Sequence, residues 1–263
     1  MSVMGRVDSL WRFPVKGMRG ETLDTAFVGF AGVYGDRVFA VRSAANPKGF
    51  PFFTGRAQPE MIRYRARFRH PERVIEPPDL SAARSTGPGI TPLYAEPASM
   101  IVDVETPDGQ VLAIDDSALL GRLRHGVAET HVLSLLRSER ALTDCRPVSL
   151  FSLETARALG GELRTTIDPR RFRANVNMDL GDTAAFAEDA WVGRSLRIGV
   201  EVVVSIIARD PRCKIITLDP DTGESSPELL RVVVQNHETN AGVYGAVLAE
   251  GTVRPGDPIE LLD

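Results

Sequence analysis

EVVVSIIARDPRCKIITLDPDTGE, residues 201–224, runs from a β-branched apolar segment through a turn-forming Arg209-Asp210-Pro211 to a lone cysteine. A second strand-like run, Lys214–Leu218, and an Asp/Gly turn follow. Short β-branched runs bounded by turn residues predict strands, and this pattern recurs along the chain. It makes the fold class mainly β with a few helices (α+β). Cys213 falls at a strand end, between Arg212 and Lys214, and not inside the apolar run. A cysteine flanked by cations is in a setting that favours thiolate. On these residues alone Cys213 can be core filler, a nucleophile or a ligand to a soft metal.

Outward from that stretch, strands are predicted at Gly5–Phe13, Arg37–Arg42, Met61–Phe68, Ser195–Ile198, Val243–Leu248 and Ile259–Leu261. A hairpin is predicted across Asp108-Gly109, within residues 101–114. In Met61–Phe68, Ile62, Tyr64, Ala66 and Phe68 alternate with arginines, giving one buried and one basic face, the latter read as solvated. Residues 70–98, rich in Pro, Gly and Ser, form an irregular excursion. Helices are predicted after Asp115/Asp116, ending near Gly126, and from a Ser152 cap to Gly160-Gly161. A third follows Ser226-Pro227-Glu228, where a cap, a proline and an acid come in the expected order. The expected division is a β-rich N-terminal domain over residues 1–115 and a second β-rich domain over residues 116–263.

Composition narrows the function. The 263 residues carry a net charge of −4, which removes the positive field that nucleic acid or an anionic membrane would require of a partner. No apolar run reaches transmembrane length and the start MSVMGRVDSLWRF has no apolar signal core, so a soluble cytoplasmic protein is expected. Nothing points to a large exposed interface, and a monomer is expected. The two cysteines, Cys145 and Cys213, cannot build a disulfide framework, and the four histidines have no ligand spacing. A zinc site or an iron–sulfur cluster made by this chain alone is not expected, so electrons for any redox step must come from elsewhere. Only three of the 31 basic residues are lysines, Lys16, Lys48 and Lys214.

Three stretches suit an anion: Pro14–Gly20 with Lys16 and Arg19, Asp168–Val176 with its three arginines, and the helix N-terminus at Ser152. Together with the stretch quoted first, they resemble the MOSC family (molybdenum cofactor sulfurase C-terminal domain) in its form with an N-terminal β-barrel domain, a family that includes the amidoxime-reducing components and bacterial relatives. Leu10–Gly20 (LWRFPVKGMRG) is similar to the family's opening strand and turn, and Gly35–Phe39 to its "DR" and aromatic strand. Arg171–Val176 resembles its "RFRPN" segment, Arg212–Glu224 its cysteine signature, and Tyr244–Pro258 its closing stretch. Gly17 stands where the family often has serine, and Ala174 where it has proline.

The resemblance implies a molybdenum cofactor (a molybdopterin) between a β-barrel MOSC domain and a β-rich N-terminal domain, with Cys213 as the metal ligand and catalytic centre. Lys16, Arg37 and Arg173 would hold the pterin phosphate and ring, with Arg212, Asn175, Tyr244 and the helix start at Ser152 beside them. The implied activity is that of an oxidoreductase on small N-hydroxylated or related N–O compounds, fed by a separate electron-donor protein. The alternative is a carrier or delivery module for the cofactor or for sulfur. A further rival is a pyridoxal phosphate site with Lys214 as Schiff-base lysine.

Overall fold

The computed structural model describes residues 2–86 and 100–262. Seven strands close into a barrel, and we number these alone: β1 (Ser2–Arg12), β2 (Val148–Ser152), β3 (Val176–Asp179), β4 (Ser195–Ile198), β5 (Val202–Pro211), β6 (Asn240–Ala249) and β7 (Pro258–Leu262). Their order around the barrel is β3-β2-β6-β5-β4-β7-β1, and β1 returns to pair with β3. Only the β2–β3 pair is parallel. A further short strand, Glu21–Leu23, extends the sheet beyond β1. The alternation that announces strands in the sequence holds in β5, where Val202, Val204 and Ile206 are buried and Ile207 is exposed. They meet Val7, Leu10, Val176, Leu196, Val243 and Ile259 in the barrel interior. Burying each such side chain contributes about 1.5–3 kcal/mol.

Three small sheets lie outside the barrel. Phe39–Ser43 lies between Phe52–Phe53 and Leu133–Arg137; Ala26–Gly29 lies between Gly32–Val33 and Gly251–Val253; Val102–Glu105 lies between Arg65–Phe68 and Val111–Ala113. A second core, with Phe39, Phe53, Phe68, Val102 and Leu119, fills the space among them. Space and chain order are interleaved. Strand β1 belongs to the barrel, and Leu133–Arg137 pairs back to Phe39–Ser43.

Four helices are present among the described residues: α1 (Leu80–Ser85), α2 (Ser117–Arg124), α3 (Leu153–Leu163) and α4 (Pro227–Asn236). The last three start where the sequence predicts. The Asp116 side chain accepts from the Ala118 amide, and Pro227 opens α4. Helix α3 does not stop at Gly160-Gly161 but runs to an Arg164 cap in the left-handed region, φ 54°. Gly160 serves packing instead, since a Cβ there would lie 2.6 Å from the Thr165 carbonyl oxygen of the returning loop, whereas one at Gly161 would meet open space.

Three other local expectations are corrected. Met61–Phe68 is not one strand: Pro59 opens a 3₁₀ turn, Pro59–Arg63, and only Arg65–Phe68 is extended. Its arginines Arg65 and Arg67 stand opposite Glu105 and Asp103, so the basic face is charge-matched on the surface. Lys214–Leu218 is likewise a 3₁₀ turn, Lys214–Thr217, closed by Ile216 N–H donating to the Cys213 carbonyl and Thr217 Oγ1 donating to that of Lys214. The hydroxyl supplies locally the bond that a strand would take from a neighbour. Arg209-Asp210-Pro211 is the end of β5 and not a turn, with Pro211 opposite Asn240. Proline is tolerated there because the strand terminates. Of the irregular excursion, residues 71–73 form a 3₁₀ turn and α1 follows, while residues 87–99 lie outside the described residues.

Candidate functional site

The end of β5 is where the sequence-predicted residues converge. Its register against β6 shifts between Ile206 and Ala208 and again between Arg209 and Pro211. Bulges of this kind re-aim side chains at the rim of a barrel. Beyond Pro211 the chain stays extended through Cys213, and a cleft of about 730 Å³, including its mouth, opens beside it. Lys16, Arg37, Arg173, Asn175, Arg212, Cys213 and Tyr244 all line this cleft.

Each cation is held differently. Lys16 is buried; its Nζ donates to the Leu142 carbonyl at 2.7 Å and pairs with Asp144, and it lies 4.5 Å from the centre of the Phe52 ring. Burial lowers the lysine pKa. Burial also pushes the Asp144 carboxyl up, but Lys16, Arg37 and Arg56 outweigh it and hold that group below the usual carboxylate range. Arg37, itself at φ 48°, donates from Nη2 to the Arg173 carbonyl at 3.0 Å and pairs with the buried Asp36. The guanidinium groups of Arg37 and Arg173 both lie over the Phe13 ring, 4.6 and 4.3 Å from its centre. Two cations on one ring leave Arg173 short of negative charge. Burial, followed by Arg37, pushes its pKa down to about 9. Its Nη2 is buried with no hydrogen-bond partner.

Arg212 and Asn175 line the cleft while building its wall. Arg212 donates to the carbonyls of Ala241 at 2.6 Å and Phe172 at 2.8 Å, and its Nη2 lies 2.7 Å from the buried Asp210 carboxylate. Asn175 accepts from the Ser149 amide at 3.3 Å and donates to the Trp11 carbonyl at 3.3 Å, tying β2 to β1. The Tyr244 hydroxyl hydrogen-bonds Asp210, and burial raises the tyrosine pKa. Cys213, half-buried, accepts a hydrogen bond from Arg56 Nη2 at 3.0 Å.

Ser152 is the exception. Its hydroxyl donates to the buried Glu188 carboxylate at 2.9 Å and accepts from the Thr155 amide at 3.2 Å. The α3 N-terminus therefore already holds an internal carboxylate, and Ser149, three residues earlier on β2, faces the cleft instead. Lys214 is exposed with its Nζ 3.3 Å from the Arg56 carbonyl and does not line the cleft, which removes the Schiff-base reading there. Sequence reasoning missed Arg56, Asp144 and Asp210. Asp210 carried the one visible signal, an acid directly before the proline that precedes the cysteine motif.

Asp210 gives the site a pH signature. Burial pushes its carboxyl up to about 6, against the opposing pull of Arg212 and Tyr244. An acid whose folded pKa exceeds its unfolded one favours the folded state most below about pH 4. That contribution is lost as pH rises through about 6, a change of at most ~3 kcal/mol. The urea-unfolding free energy of the wild type minus that of Asp210→Asn is expected to fall across this window and to level above it. A difference independent of pH would contradict the assignment.

The cleft thus combines a soft sulfur donor with under-neutralised cations and an orphaned guanidinium N–H, an arrangement that suits a phosphorylated ligand bearing a soft metal. Among the described residues no cluster of three or more His, Cys, Asp or Glu could hold a metal ion by itself, so further ligands would have to come with the metal. Also among them, no helix is long and apolar enough to cross a membrane.

Comparison with known proteins gives a consistent result. The MOSC N-terminal beta barrel domain family matches residues 4–116, and the MOSC domain family matches residues 137–260. Mitochondrial amidoxime reducing component 2 of Rattus norvegicus is 31% identical over 134 residues, 46% of this chain and 38% of that protein. The Bos taurus component 2 is 22% identical over 97% of this chain and 83% of its own length. Homo sapiens component 1 is 30% identical over 48% of this chain and 40% of its own length. The chain therefore matches less than half of the rat and human relatives. Among solved structures, the YUAD protein of Bacillus subtilis has a TM-score of 0.48 at 12% identity, covering 98% of this chain and 94% of that one. YiiM from Geobacillus stearothermophilus has a TM-score of 0.37 at 19% identity, covering 45% of this chain and 55% of that one.

Proposed function

Because the chain belongs to the MOSC family, joining its N-terminal β-barrel domain to the MOSC domain itself, we propose that it is a molybdenum-cofactor oxidoreductase that reduces small N-hydroxylated or related N–O compounds. The observation that carries this reading is that one cleft is lined by both Cys213, a soft donor, and Arg173, a buried guanidinium whose Nη2 has no partner. Cys213 Sγ would be the protein's bond to the metal. Lys16, Arg37 and Arg173 would bind the pterin phosphate and ring, with Asp144 moving its charge pairing from Lys16 to Arg56, already 3.8 Å away. Asn175 and Arg212 would keep the wall in shape, and Tyr244 would face the bound group. Bound there, the cofactor would supply the two-electron change that takes oxygen from nitrogen. The chain's residues bind it, orient it and limit water around it. Electrons would come from a separate donor protein.

The test is direct. Protein purified from a cofactor-competent host is expected to contain molybdenum and pterin near one per chain, and to reduce a benzamidoxime-type substrate when given a protein electron donor. Wild-type protein devoid of both molybdenum and pterin would overturn the reading. Cofactor-loaded protein that reduces no N–O compound would instead make it a carrier.

A further inference from the structure

The reduction of an N–O bond consumes protons as well as electrons: R₂N–OH + 2 e⁻ + 2 H⁺ → R₂N–H + H₂O. The cleft has two carboxyl groups, and their surroundings separate them. Asp144 sits among Lys16, Arg37 and Arg56, which hold it ionised, so it has no proton to give near neutral pH. Asp210 is 2% exposed, at the end of β5, with Arg212 on one side and the Tyr244 hydroxyl on the other. Tyr244, on the neighbouring strand β6, is only partly buried and lines the cleft. Both side chains line the cleft and are hydrogen-bonded to one another, and Tyr244 is the more exposed of the two, so its phenol is placed to carry a proton from Asp210 to a compound bound there. Two carboxyls pushed apart by their environments commonly mark a proton-holding and an ionised partner.

We propose that Asp210 and Tyr244 form a proton relay into the cleft, Tyr244 passing its hydroxyl proton to a bound N–O compound while Asp210 restores it. The proposal rests on the reductase reading above. One proton goes to the departing oxygen, which already carries its own hydrogen and leaves as water. The second goes to nitrogen after Asp210 has been recharged from solvent, and the two electrons come from the separate electron-carrier protein. The N–O bond breaks, and one O–H and one N–H bond form. Arg212 anchors Asp210 through its bonds to Ala241 and Phe172, while Arg37 and Asp144 are the other charges that act on it. Burial places the carboxyl at about 6, close to the pH at which a general acid works best.

The experiment compares the holoprotein with Asp210→Asn, Tyr244→Phe and the double variant. Each single change is expected to lower kcat about a hundredfold, within the range for general-acid catalysis. The double variant is expected to be no slower, because the residues act in series. The fall in wild-type kcat as pH rises above about 6 is expected to vanish in both single variants. Independently of turnover, ¹³C-aspartate NMR is expected to show one carboxyl titrating near 6. That signal should be absent in Asp210→Asn and shifted upward in Tyr244→Phe, which removes a donor to the carboxylate. If Asp210→Asn does not fold, Tyr244→Phe decides on both readouts. Wild-type turnover left intact by these substitutions, additive losses, or no carboxyl titrating between pH 5 and 7 would each overturn the relay alone. Wild-type protein with no N–O reduction overturns the reductase reading with it.

Discussion

Cys213→Ala is expected to yield folded protein whose molybdenum content drops from near one per chain to background. Removing the side chain loses one hydrogen bond, from Arg56, and no core packing, since Cys213 caps a 3₁₀ turn and is not buried among the apolar residues. The stability change should be about 0.5–1 kcal/mol or less. The thiolate, in contrast, would be the one bond to the metal that the chain itself provides, and alanine has no donor atom. Cys145→Ala is the control: that cysteine is exposed, and its loss is expected to leave the metal content unchanged. Elemental analysis alongside thermal unfolding reads both quantities from one preparation. Retention of molybdenum by Cys213→Ala would remove the central assignment.

The second large effect lies in the barrel wall. Gly245 sits on β6 between Val148 of β2 and Ile206 of β5, and a Cβ there would come within 2.1 Å of a Val204 methyl. Val204 is fully buried and β-branched, so its methyl has little freedom to rotate aside. Gly245→Ala is therefore expected to cost about 2–3 kcal/mol by overpacking. Val204→Ala alone is expected to cost a similar amount through the cavity it leaves. Combining them should recover much of the loss, because each substitution removes the fault of the other. Urea denaturation of the four proteins measures the coupling, and strictly additive losses would show that the two strands do not press on one another at this point.

How much of this was legible in the sequence depends on the range of the interaction. The β5 alternation, the Asp116 and Pro227 helix starts and the hairpin at Asp108-Gly109 are decided by neighbouring residues, and all appear as predicted. Seven of the eight residues singled out for the site line one cleft, brought there from the turns at Lys16 and Arg37, the approach to β3 at Arg173 and Asn175, the exit of β5 at Arg212 and Cys213, and the middle of β6 at Tyr244. Ser152 failed because an N-cap serine looks the same whether its helix faces solvent or, as here, a carboxylate 36 residues later. Lys214–Thr217 failed because Ile-Ile-Thr has strand propensity, overridden by the threonine hydroxyl and by Ile216 packing with Phe151 and Phe172. Arg56, which reaches Cys213 from 157 residues away, carries no local mark.

The closure of the barrel on β1 also dictates an order of events. Ser2 pairs with Leu261 and Leu10 with Val176, so β1 leaves the ribosome before either of its barrel neighbours, β3 and later β7, has been synthesised. Val7 and Leu10 lack their barrel-core neighbours during that interval, and the edge that later meets β3 stays unpaired. Barrel closure is therefore a step of high contact order, and its speed is set by the search for a distant partner and not by the strength of the finished wall.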